Sequence, residues 1–416
     1  MTAPNRRHSP AIAGGTPRRR YYAGRNLDRV QSIADLRART HRLMPNFVLE
    51  YLEGGAEDEA TLARERAAFA DWRFVPRQLV DVSQRSLAAP ILGKPAPLPL
   101  AIAPTGLNGL FCRGADRLLA EGAASAGVPF TQSTMSNQRM EEVATVPGLR
   151  HWWQLYVFGG DEIWQELLRR AEACGVEALV ITTNSQVFGR RDWDARTRAT
   201  RSRPSLATVA DAARHPRWAA TTLDRGMPSF ANVMDLIPKD RRGFFDSAFW
   251  IREQMPKSLS WDTVAKIRQR WKRPFLLKGL MHPDDIRRAL DSGVDGVILG
   301  THGGRQADWS IAPLDILSQA RAIVGDRIAL MMTGGIRRGT DLLKALALGA
   351  DAVLAGRAPL YGLCAHGAAG VAKAIDLLRQ EAIDDMAQIG AAIRDDLAPL
   401  LVPSAALGQP LALNGQ

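Results

Sequence analysis

The chain has 416 residues, of which 46% are hydrophobic, and a formal net charge of +11, so it can bury one large core or two smaller ones and is neither fibrous nor disordered as a whole. No run approaches the roughly 18 apolar residues of an integral membrane span, and no continuous apolar segment follows the N-terminal arginines as a secretory leader requires. Cys112, Cys174 and Cys364 are scattered and odd in number and the histidines lack metal-ligand spacing, so the expectation is a cytoplasmic protein without a metal.

Residues 1–28 read as a disordered basic tail, with Arg6, Arg7, Arg18, Arg19, Arg20 and Arg25 set against Asp28 alone. A solvated tail is favoured over a specific nucleic-acid partner. Residues 29–97 read as a helical extension. A helical pattern spans Val30–Leu43, and a second runs from Asn46 to Gly54-Gly55 with Phe47, Val48 and Tyr51 at helical spacing. A third covers Glu57–Phe69, and residues 70–97 look irregular or short β.

From Leu98 the chain alternates. Apolar strands are expected at Leu98–Ala103, Pro129–Ser133, His151–Tyr156, Ala178–Thr183, Phe275–Lys278, Gly296–Leu299, Ile328–Met332 and Ala352–Ala355, each followed by a helix or helical turn. A long loop or lid, 184–259, interrupts after the fourth strand. It is rich in Arg, Pro and Trp and has no sustained period. A long helix covers Gly370–Met386, and 391–416 is read as a C-terminal tail. Such alternation implies a parallel sheet, and the expected fold is an α/β (β/α)8 TIM barrel over residues 98–390, with an open doubly wound sheet as the alternative. No strand leads into a G-x-G-x-x-G dinucleotide turn.

In such a barrel chemistry sits at the C-terminal ends of the strands. The polar residues fall there: Ser133, Gln154 and Tyr156, Thr182 and Asn184, Lys278, His302 and Arg305, then Gly334-Gly335 and Gly356-Arg357. A buried ammonium at Lys278 calls for an anion or a ligand. The last two glycine-rich turns, with Arg337, Arg338 and Arg357 beside them, suit a phosphate, because loops after strands seven and eight commonly hold one. Together these point to a phosphorylated cofactor whose reactive face meets His302.

The motifs carry a resemblance over about residues 30–390. They are Tyr51-Leu52-Glu53-Gly54-Gly55-Ala56, Ala103-Pro104-Thr105-Gly106, Gln154-Leu155-Tyr156, Leu277-Lys278-Gly279, His302-Gly303-Gly304-Arg305-Gln306 and Gly334-Gly335-Ile336-Arg337-Arg338-Gly339. In this order they resemble the FMN-dependent 2-hydroxy-acid oxidase and dehydrogenase family. The resemblance implies FMN as cofactor and oxidation of an (S)-2-hydroxy acid to a 2-oxo acid, with oxygen or another acceptor taking the electrons. It implies His302 as the base and Arg305 and Arg191 as a carboxylate clamp, with Tyr51 adding a hydrogen bond. Tyr156 contacts the substrate hydroxyl. Lys278 sits by the flavin where negative charge develops, Ser133, Gln154 and Thr182 meet its edge, and Pro104, Thr105 and Gly106 line its other side. Arg337, Gly335, Gly356 and Arg357 hold the phosphate end. A homotetramer is implied as well.

Departures from the family pattern are equally visible. Asn184 stands where an Asp pairs with the catalytic histidine, so Asn184 is expected to accept a hydrogen bond from His302 in its place. Gly300-Thr301 replaces Ser-Asn, Thr333 replaces an Asp that contacts the ribityl chain, and Met135 replaces a large aromatic above the substrate. A flexible Met135 is expected to admit aryl or long-chain acids, with Trp193, Trp218 and Trp250 either walling the site or packing the lid onto the barrel. The rival readings are a specialised biosynthetic FMN oxidase, another FMN-barrel activity, or a flavin-binding protein with weak catalysis.

Overall fold

The structure is a computed structural model that describes residues 19–200, 203–223, 226–255 and 259–406. Eight parallel strands close into a barrel: β1 (Leu100–Ile102), β2 (Phe130–Ser133), β3 (His151–Leu155), β4 (Ala178–Thr182), β5 (Phe275–Lys278), β6 (Gly296–Leu299), β7 (Ala329–Thr333) and β8 (Ala352–Ala355). The open-sheet alternative is excluded by the β8–β1 pairing, Val353 beside Leu100 and Ala355 beside Ile102. Both faces of each strand are covered, which is why the strands read as unbroken apolar runs.

Strand parity positions the site. One interior layer holds Ala101, Trp152, Val180, Leu276, Ile298, Met331 and Leu354. Side chains alternate along a strand, so the residues two further on point to the same interior. These are Ala103, Gln154, Thr182, Lys278, Gly300, Thr333 and Gly356, and the register aligns Ser133 with Gln154 and Thr182 with Lys278. The polar top layer thus follows from the same alternation that builds the core. At the opposite mouth a hairpin, Ala89–Ile91 with Lys94–Ala96, adds Ile91 and Ala96 to the interior cluster.

The N-terminal extension forms helices Ile33–Leu43, Asn46–Glu53 and Ala60–Ala67. The first is capped by Ser32, whose hydroxyl accepts from the Asp35 amide. Leu36, Val48 and Leu52 are buried in the main core cluster.

Four sequence expectations change. The calls on residues 1–18 lie outside the described residues, but 19–28 do not form a free tail: Tyr22 donates its amide to Asp35, and Arg39 donates to the Ala23 carbonyl. The expected tail at 391–416 is structured through 406, because Leu401–Pro403 pairs antiparallel with Trp72–Phe74. The segment 184–259 contains helices Leu206–Ala213, Pro216–Thr222 and Phe244–Gln254. Its tryptophans do not wall the site. Trp218 is buried, donates to the Leu110 carbonyl and packs edge-on against Phe47, whereas Trp193 is 48% exposed. Finally, the C-terminal helix runs from Arg357 to Ile389, with a break at His366 and Gly367.

Candidate active site

A cavity of about 300 Å³ opens at the C-terminal end of the barrel. Tyr51, Pro104, Thr105, Gly106, Ser133, Met135, Tyr156, Arg191, Lys278, His302, Arg305, Thr333, Gly335, Arg337, Gly356 and Arg357 all line it. Gln154 and Thr182 belong to the same top layer. Their Nε2 and Oγ1 atoms, like Thr105 Oγ1, are buried without a hydrogen-bond partner among the described residues.

His302 occupies the left-handed region, with φ 61°, at the end of β6. The two glycines that follow let the loop lie against the N-terminal extension. A Cβ on Gly304, itself at φ 70°, would meet the Leu62 backbone nitrogen at 2.7 Å. The ring's Nε2 is 3.4 Å from the Tyr156 hydroxyl and its Nδ1 is 3.3 Å from Ser185 Oγ. Burial, and then the charges of Lys278, Arg191, Arg305 and Arg357, hold the imidazole well below the usual histidine range. The ring is therefore held neutral rather than as an imidazolium.

The structure corrects the expectation for Asn184. Its amide nitrogen donates to the Gly300 carbonyl at 3.0 Å and its Oδ1 is buried without a partner among the described residues. Asn184 therefore ties β4 to β6, and Ser185 is the residue against the imidazole.

The two arginines of the expected clamp converge. Arg305 donates through Nη1 to the carbonyls of Tyr51 and Gly54, both at 2.7 Å, and its guanidinium carbon lies 5.0 Å from the centre of the Tyr51 ring. Its Nη2 is buried without a hydrogen bond among the described residues and is 3.6 Å from Asp194 Oδ2. Arg191 Nη1 lies 3.9 Å from the same carboxylate oxygen. Burial, then Arg191, push Arg305 down to about 9, opposed by the charge of Asp194. Tyr51 donates its hydroxyl to the Gly106 carbonyl at 2.8 Å, so its expected hydrogen bond is committed to the protein. Burial lifts the Tyr156 hydroxyl to about 12, which keeps it a donor.

Lys278 is 3% exposed, and its ammonium has neither a hydrogen bond nor an ion pair among the described residues. Burial pulls its ammonium down to about 8, opposed by the charge of Glu65. Glu65 hydrogen-bonds Thr301 and is itself pushed up by burial. Arg357 starts the long C-terminal helix beside the cavity but is partly committed, donating to the Leu52, Gly54 and Gly303 carbonyls at 3.0, 3.1 and 3.0 Å. Arg337 stays in the lining over the Tyr361 ring, 5.6 Å from its centre. Thr333 gives its hydroxyl to the Leu354 carbonyl at 3.0 Å and presents no free donor to a ribityl chain.

These features fit FMN. Unpartnered amide and hydroxyl groups at Gln154, Thr182 and Thr105, with the Lys278 ammonium, suit the polar edge of an isoalloxazine, and the helix N-terminus with Gly335, Gly356, Arg337 and Arg357 suits a phosphate. Gln306, Asp194 and Phe188 also shape the site, although sequence reasoning gave them no role. The spacing of Arg191 and Asp194, three apart, was the available signal for Asp194.

Comparison with known proteins agrees. The family described as FMN-dependent dehydrogenase matches residues 40–403. The chain is 41% identical over 369 residues to the (S)-mandelate dehydrogenase of Pseudomonas putida, covering 88% of this chain and 92% of that protein. It is 35% identical over 368 residues to an L-lactate dehydrogenase of Caulobacter sp. (strain K31), covering 88% and 97%. A crystal structure described as that of monotopic membrane protein (S)-mandelate dehydrogenase superposes with a TM-score of 0.86 at 40% identity, covering 90% of this chain and 100% of the other.

Proposed function

Because the chain belongs to the FMN-dependent dehydrogenase family, we propose that it oxidises an (S)-2-hydroxy acid with an aryl or long apolar substituent to the 2-oxo acid. The observation that carries this reading is the meeting of His302 with Arg191 and Arg305 around one buried cavity. A clamp for a carboxylate and a neutral base beside it are what a 2-hydroxy acid needs. FMN, when bound, accepts the two electrons released as the alcohol carbon becomes a carbonyl.

The protein's own residues do the rest. Arg191 and Arg305 hold the carboxylate, the latter through Nη2, which has no hydrogen bond among the described residues. His302 takes a proton from the substrate at Nε2. Tyr156, 3.4 Å from that nitrogen, orients the hydroxyl. Lys278 supplies fixed positive charge at the cavity floor, already oriented before reaction. Met135, Leu107, Phe188, Phe230 and Ile251 make much of the remaining wall apolar, with Arg252 among them, which favours a bulky substituent over a hydrogen at C2.

Electrons leave to oxygen or to another acceptor. No helix among the described residues is long and apolar enough to cross a membrane. The relative described as monotopic, and the exposure of Leu206 (89%) and Val209 (51%) on one helix of the 184–259 segment, favour an enzyme resting on a membrane surface over a freely cytoplasmic one. Exposed Trp309 and Ile311 favour a homo-oligomer. The test is anaerobic bleaching of the bound FMN by a panel including mandelate, lactate, glycolate and a long-chain 2-hydroxy acid. Mandelate or the long-chain acid should bleach fastest, and a panel that leaves the flavin oxidised refutes the reading. Vesicle flotation and sedimentation velocity test location and assembly.

A further inference from the structure

We infer that Ser185, held by Gln306, is the positioning residue of His302, fixing the proton on Nδ1 so that the Nε2 lone pair serves the substrate. The inference rests on the proposed role of His302 as base.

The orientation of Gln306 is determined by its neighbours. The Gly189 amide must donate, and it donates to Gln306 Oε1 at 2.8 Å. The Asn184 carbonyl must accept, and it faces Gln306 Nε2 at 2.8 Å. With the side-chain amide fixed this way, Nε2 also donates to Ser185 Oγ at 2.8 Å. Ser185 therefore keeps one lone pair and one proton for its other neighbours. The neighbour that takes one of them is His302 Nδ1, at 3.3 Å.

Two proton arrangements satisfy this pair. In one, Nδ1–H donates to Ser185 and Nε2 carries the lone pair. In the other, Ser185 donates to Nδ1 and the proton sits on Nε2. Only the first survives proton uptake, because an imidazolium donates from both nitrogens and its Nδ1–H then needs an acceptor. Ser185 is the hydrogen-bond partner of Nδ1 among the described residues and is 1% exposed. The arrangement the reaction needs is thus the one that Gln306 and Ser185 allow to persist. Its partner is a neutral hydroxyl, so orientation is supplied without negative charge.

The experiment uses the FMN-loaded enzyme with ¹⁵N-labelled histidine, the His302 signal being assigned by its loss in His302→Asn. Wild type should show the Nδ1–H tautomer. Ser185→Ala and the similarly sized Ser185→Cys should lose that preference, and Ser185→Thr should keep it. Stopped-flow bleaching by the best substrate should slow about ten- to one-hundred-fold in Ser185→Ala, the worth of one hydrogen bond to a charged ring, with substrate affinity little changed. Should Ser185→Ala fail to retain flavin, Ser185→Cys carries the same comparison. An unaltered tautomer and rate in these variants, or a loss confined to substrate affinity, overturns the inference. If no 2-hydroxy acid bleaches the wild-type flavin, the proposed function fails, while the tautomer spectrum still decides the role of Ser185.

Discussion

Replacing Lys278 with methionine should make the flavin-free protein more stable and the flavin-loaded protein less so. Burial takes this ammonium from an ordinary 10.5 to about 8, with Glu65 offering only partial compensation. A displacement of that size corresponds to about 3 kcal/mol. The sign is set by which state binds more protons. Between pH 8 and 10.5 the unfolded chain keeps the lysine proton that the folded chain has released, so stability rises with pH across this window. Below pH 8 the folded state carries the whole cost of the buried cation. At pH 7 the apoprotein of Lys278→Met should therefore exceed wild type by up to about 3 kcal/mol, less what Glu65 loses with its nearby cation. The difference should shrink toward pH 10. Loading FMN should reverse it, because an electron-rich ligand edge gives the ammonium its partner. Urea unfolding of both proteins, apo and loaded, in a pH series reads this directly. A wild-type-minus-variant difference that is flat with pH, or an apo variant weaker than wild type at pH 7, would refute the reasoning.

Three further outcomes are expected. Because His302 lies well below 6.5, the acidic limb of kcat/KM should fall below pH 6.5, and a limb at or above that value would contradict the cationic surroundings. Met135→Trp should fill the apolar wall and shift preference toward small acids, read as the glycolate-to-mandelate ratio of kcat/KM; an unchanged ratio would show that Met135 does not set size. Asn184→Asp should replace a donor to the Gly300 carbonyl with a repelling oxygen, at a cost of about 2 kcal/mol in unfolding free energy. Partial burial raises the new carboxyl's folded pKa, so that cost is present at neutral pH and is relieved as pH falls and the group takes a proton. Faster flavin bleaching by this variant would mean that residue 184 reaches the imidazole after all.

The barrel and most of its polar layer are legible because strand parity is a local property that runs on past the last ladder bond. Gln154, Thr182, Lys278 and Thr333 inherit their direction from Trp152, Val180, Leu276 and Met331. Parity ends with the strand. Beyond Thr182 nothing local decides whether Asn184 or Ser185 faces the imidazole, and the outcome depends on Gln306 from another loop. The helices of 184–259 are short, and Leu206–Ala213 leaves Leu206 and Val209 exposed, so no buried stripe announces it. The strand at Leu401–Pro403 exists only through Trp72–Phe74, a partner more than three hundred residues away in the chain. Residues 19–28 resemble a solvated tail in composition, yet Asp35 and Arg39 anchor them.

The hydrogen bonds from Arg305 and Arg357 to the carbonyls of residues 51–54 do more than orient two guanidiniums. They fasten the negative end of the Asn46–Glu53 helix across the barrel, giving the cavity one immobile jaw. Any breathing that admits substrate and releases product then falls to the opposite jaw, where Phe188, Phe230, Ala248 and Ile251 come from the 184–259 segment. Exchange of reactant for product is thereby separated from His302 and Arg305, so sequence change at Phe230, Ala248 or Ile251 can retune it while leaving Ser185 and Arg191, at the start of the same segment, in place.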